Sequence, residues 1–120
     1  MAETLDRTTL AELLEMVGDD PEFVAELVDT YLADARDLLA EMGTAADSGD
    51  AEAMLRPAHT LKGNSLNLGA TRLAEISRGL EEQARRGSLD GAEEQVAAAE
   101  AEFVRVADAL EAARAAGWSA

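Results

Sequence analysis

Cysteine is absent from this 120-residue sequence, which removes disulfides, thiolate metal sites and thiol nucleophiles together. With a single histidine as well, a structural zinc site lacks its ligands. Proline occurs twice, never after residue 57, and aromatic residues make up only 3% of the chain. A β-sheet protein would draw on more Val, Ile, Thr and aromatic residues, whereas Ala, Leu and Glu dominate here. Basic residues are scarce: 10 Lys and Arg face 25 Asp and Glu, a formal net charge of −15. That balance disfavours nucleic acid and anionic membrane surfaces as partners and favours solubility. No stretch reaches the roughly 18 apolar residues of a membrane helix, and Met1 to Leu10 lacks the apolar run of a signal peptide. The expectation is a soluble, cytoplasmic protein with one domain over residues 1–120, the size of a single modest core.

What is present is helical periodicity. Asp6 to Val17 reads as a short helix with Leu10, Leu13, Leu14 and Val17 on one face. Gly18-Asp19-Asp20-Pro21 stops it and starts the next, with aspartate as N-cap and proline in the first turn. A second helix is predicted over about 21–46, where Val24, Val28, Tyr31, Ala35, Leu38 and Met42 alternate steps of four and three. Ser48-Gly49-Asp50 turns the chain into a third, roughly 51–68, with Pro57 predicted to kink or restart it. Gly69 ends that helix, and 70–86 forms a fourth with Leu73, Ile76, Leu80 and Ala84 inward. The last, about 90–115, repeats Leu89, Val96, Phe103 and Leu110 every seven residues, and Trp118 is placed to cover a bundle end. Four long helices with short loops predict an all-α, up-and-down antiparallel four-helix bundle with a short extra N-terminal helix.

One stretch stands apart: AHTLKGNSLNLGA, residues 58–70, which holds the only histidine and the only lysine of the chain. No carboxylate occurs between Glu52 and Glu75, so Arg56, Lys62 and Arg72 leave residues 53–74 at +3 inside a −15 protein. On a helical wheel Ala58, Leu61, Ser65 and Leu68 form the core stripe, and His59 lies roughly 140° from its centre. His59 therefore points outward, beside Leu66 and between Lys62 and Gly63. A glycine inside a helix costs ~1 kcal/mol relative to alanine. Its outward position at 63 fits access for a large partner better than close packing of two helices.

A lone exposed imidazole lacks the partners of the usual hydrolytic triads, but it can act as a nucleophile itself, and attack on phosphorus would yield phosphohistidine. A nearby ammonium would offset the charge delivered. At this point AHTLKGNSLNLGATRLAEISRGLE resembles the signature of histidine-containing phosphotransfer (HPt) domains: His-x-x-Lys-Gly, a Leu-Gly-Ala several positions on, and a helix ending in Leu-Glu. GDDPEFVAELVDTYLADARDLLAEM is similar to the second helix of stand-alone members. The resemblance implies phosphorylation of His59 at Nε2, with Lys62 steadying the phosphoryl group and Gly63 giving a receiver domain room to dock. Asn64 and Pro57 depart from the usual pattern on the docking surface.

The resulting expectation is a phosphocarrier without independent turnover. It relays phosphoryl groups between phosphoaspartates of response-regulator receiver domains, or from a hybrid sensor kinase. It needs no cofactor of its own, Mg²⁺ being expected on the receiver. Arg56, Leu55, Asn64 and Leu66 join Gly63 as the expected docking residues, the two leucines as its apolar part. The bundle is expected to be monomeric, and a chain running from Met1 to just past the last helix favours a separate protein. Two alternatives stay open: a phosphoacceptor domain excised from a larger sensor kinase, and a helical adaptor that binds a partner without chemistry.

Overall fold

In the computed structural model, residues 4–118 are described, and they form five helices: α1 (Arg7–Met16), α2 (Pro21–Ser48), α3 (Ala51–Asn67), α4 (Thr71–Arg85) and α5 (Ala92–Ala115). Three of them begin on an aspartate. The Asp6, Asp20 and Asp50 side chains accept hydrogen bonds from the first free backbone N–H groups of α1, α2 and α3, which have no partner within the helix itself. Pro21 occupies the first turn of α2, where its missing N–H costs nothing.

The helices pack in the ring α2–α3–α4–α5, with α3 and α4 sharing the largest interface and α1 lying against α2. This is the predicted up-and-down bundle. Met42, Met54, Leu61, Leu73, Leu80 and Leu110 are fully buried at its centre. Each such side chain contributes about 1.5–3 kcal/mol relative to an exposed one. Trp118 covers the end where α2 starts and α5 finishes: it is buried, and its Nε1–H donates to the Pro21 carbonyl at 3.1 Å.

Two details fix how α3 faces the rest of the molecule. The Tyr31 hydroxyl of α2 meets the Ser65 hydroxyl of α3 at 2.9 Å in the core, which holds the core stripe of α3 inward. Burial pushes the Tyr31 phenol up to about 12, an effect the Ser65 hydrogen bond partly offsets. At the far end Gly69 adopts φ +78°, and its carbonyl accepts from the Asp6 N–H at 2.8 Å. A side chain at 69 would collide with the Asp6 backbone, 2.8 Å from its β-carbon. The glycine thus both turns the chain and lets the segment before α1 dock.

Pro57 does not interrupt α3, contrary to the expectation of a restart. The helix runs unbroken from Ala51 to Asn67 with Pro57 buried within it. A proline withdraws one backbone donor, and the packing of Met54, Ala58 and Leu61 on either side carries the helix through that loss.

Candidate functional site

The core stripe of α3 is as the wheel places it: Ala58, Leu61 and Ser65 are fully buried and Leu68 nearly so. That rotation puts His59 on the outside, with 61% of its side chain exposed. Lys62, one turn on, is three-quarters covered, and Gly63 lies on the same face with nothing within 4 Å of where a β-carbon would stand. The open space is not unique to this glycine. Gly43 and Gly79 also sit inside helices beside open space, so what distinguishes Gly63 is its place next to the imidazole.

The residue that organises the site is Glu81 of α4, which sequence reading did not assign. It is only 2% exposed, yet its carboxylate takes three donors: His59 Nδ1 to Oε2 at 2.8 Å, Lys62 Nζ to Oε1 at 2.9 Å, and Arg85 Nη2 to Oε2 at 2.7 Å. Burial by itself would raise the carboxyl's proton affinity. The hydrogen bonds from Lys62 and His59, with the charges of Lys62 and Arg85, outweigh it and hold Glu81 below the usual carboxylate value. An ionised carboxylate can only accept, so the proton of a neutral His59 sits on Nδ1 and the lone pair on Nε2. Among the described residues Nε2 has no hydrogen-bond partner. The sequence did contain a signal for Glu81: with Leu73, Ser77 and Ala84 it falls on the buried stripe of α4, the face turned to α3.

The other cations of the stretch are not a free positive island. Arg56 pairs with Glu41 of α2, and Arg72 lies 3.7 Å from the buried Glu102 of α5. The gap in carboxylates along the sequence is filled in space by neighbouring helices. Leu55, one turn before His59 and on the same side of α3, is half-buried and packs against the core. Leu66 is 51% exposed, as the docking reading requires, and Asn64 is half-buried. Both line an open groove with Leu13, Met16, Leu27 and Tyr31; neither His59 nor Lys62 borders it. Among the described residues no group of three or more His, Cys, Asp or Glu could hold a metal ion, and no helix is long and apolar enough to cross a membrane.

The helical bundle that carries this imidazole is similar to known proteins. Residues 26–116 match the Hpt domain family. The chain belongs to that family. Among solved structures, histidine-containing phosphotransfer protein B (HptB) of Pseudomonas aeruginosa is similar over 95% of this chain and 96% of its own, with a TM-score of 0.85 and 37% identity. The multistep phosphorelay regulator 1 of Schizosaccharomyces pombe is 29% identical over 90 residues, 74% of this chain. The chain spans 30% of that relative's length.

Proposed function

We propose that this protein carries a phosphoryl group on His59 Nε2, taking it from the phosphoaspartate of one receiver domain and passing it to another. The observation that supports this most directly is the Nδ1 hydrogen bond to Glu81, which leaves Nε2 as a free, outward-facing nucleophile. In the forward step the Nε2 lone pair attacks phosphorus. The oxygen–phosphorus bond of the acyl phosphate breaks, and the receiver's aspartate leaves as a carboxylate with that electron pair. The Nδ1 proton stays in place, so the ring becomes a phosphoimidazolium whose positive charge faces the Glu81 carboxylate. Lys62, 24% exposed and one helical turn away, is the nearest ammonium for the phosphoryl oxygens. The receiver supplies the carboxylates and Mg²⁺ that neutralise the group in flight, while the bundle supplies position.

On this reading the protein is a substrate of its partners and has no turnover of its own. Receiver domains dock over Gly63 and Leu66, with Asn64 and Arg56 at the edges of the patch, and the bundle acts as a monomer in the cytoplasm. Incubation with a phosphorylated receiver domain and Mg²⁺ tests the reading. The expected product is an acid-labile, base-stable label on the bundle, present in the wild type and absent from His59→Gln, which keeps its helical signal. Label that persists in His59→Gln overturns it, and so does unfolding of that variant. Complex formation without any label would make the protein an adaptor.

A further inference from the structure

His59 Nδ1 and Arg85 Nη2 converge on one oxygen, Oε2 of Glu81, while Lys62 alone holds Oε1. Two donors on one carboxylate oxygen divide its acceptor strength, since each draws negative charge away from the other. The two donors differ in what else they can do. Arg85 stands in the last turn of α4 with 62% of its side chain exposed, whereas Glu81 is buried and cannot follow it outward. Arg85 and His59 are thus two solvent-facing donors joined through one buried carboxylate oxygen. With a neutral imidazole the cluster of Glu81, Lys62 and Arg85 carries a net charge of +1, so it has positive charge to spare for an incoming anion.

We propose that Arg85 is a positioning residue that restrains the His59–Glu81 pair until the anionic groups of a docked phosphodonor draw the guanidinium off Oε2. This rests on the assignment of His59 as phosphoacceptor. While Arg85 occupies Oε2, Glu81 bonds the Nδ1–H less strongly and supports less positive charge on the ring as Nε2 attacks. Once a partner's phosphoryl group and carboxylates engage Arg85, the full acceptor strength of Oε2 passes to Nδ1–H. The ring then gains nucleophilicity at the moment the phosphorus is within reach. A small phosphodonor that does not dock should find the nucleophile still restrained.

The test compares phosphoramidate, which makes no docking contacts, with a phosphorylated receiver domain and Mg²⁺. With phosphoramidate the phosphorus–nitrogen bond breaks, ammonia leaves with that electron pair, and Nε2 gains the phosphoryl group. Arg85→Ala should be labelled faster than wild type by phosphoramidate, by about two- to fivefold, the range to which the free energy of an exposed ion pair converts. Arg85→Lys, which restores a cation to Oε2, should return the rate toward wild type. With the receiver domain the acceleration should vanish, because wild type has already released Arg85 when the donor is docked. An Arg85→Ala that is unchanged or slower with phosphoramidate overturns the proposal, the slower case making Arg85 a direct phosphoryl ligand. Equal acceleration with both donors overturns release on docking. His59→Gln runs beside them: label on that variant from either donor refutes the assignment of the phosphoacceptor and not the role of Arg85.

Discussion

Gly63→Ala adds one methyl group to the outer face of α3, one position beyond Lys62, and stability and partner access should respond to it separately. The added carbon meets no atom within 4 Å and the backbone there is ordinary helix, so no packing penalty arises. Replacing a mid-helix glycine by alanine is then worth about 0.8–1.0 kcal/mol. Unfolding a chain of this size releases roughly 0.25 kcal/mol/K of entropy, so the melting temperature should rise by about 3–4 °C. Gly43→Ala and Gly79→Ala, which also face open space, should give similar rises and leave transfer unchanged. Gly63→Gln should fold equally well but stand where a receiver must land. Its transfer should fall by about tenfold or more, the equivalent of ~1.4 kcal/mol of docking free energy. Calorimetric melts beside receiver-transfer rates are the assay. A lowered melting temperature for Gly63→Ala would mean this face of α3 is packed against something, and undiminished transfer by Gly63→Gln would remove position 63 from the docking surface.

Lys62→Ala should shorten the life of the phosphohistidine or slow transfer while receiver binding changes much less; label decay and binding measured on the same variant check this. Glu81→Gln keeps the shape but loses the charge facing Nδ1, so transfer should fall about ten- to a hundredfold, the range of one charge-assisted hydrogen bond; wild-type transfer would reduce Glu81 to a structural residue. Its carboxyl is held below the ordinary 4.5 in the folded protein. The stability it adds is therefore fully present above that value and lost as pH falls through the lower folded value. The gap between wild type and Glu81→Gln in urea melts should accordingly be level near neutrality and shrink on acidification below 4.5. Tyr31 behaves oppositely. Its phenol is raised from 10.0 to about 12, so wild type should lose stability relative to Tyr31→Phe as pH climbs through that interval, and a pH-independent difference would show the phenol is not held in the core.

The helices and the outward placement of His59 were legible in the sequence because both are local. Helical periodicity, the aspartate cap before Pro21 and the Gly69 turn are each written within a few residues, and the stripe Ala58, Leu61, Ser65, Leu68 fixes the rotation of α3 without reference to other helices. The same local pattern carried the likeness to the Hpt family, since His59, Lys62 and Gly63 lie within two turns of one helix. What the sequence could not settle was the partner of each charge, because pairing depends on which helices become neighbours and at what height. Glu81 is 22 residues from His59 along the chain and 2.8 Å from its ring in the fold. Arg56 and Arg72, unopposed along their own segment, meet Glu41 and Glu102 from α2 and α5. Leu55, one turn before the histidine on the same side of α3, is half-buried against the core, a depth set by how neighbouring helices pack. The sequence determined which face of α3 His59 occupies. Only the packing of α3 against α4 decided which carboxylate holds it, because a hydrogen bond needs proximity in space and the sequence records proximity along the chain.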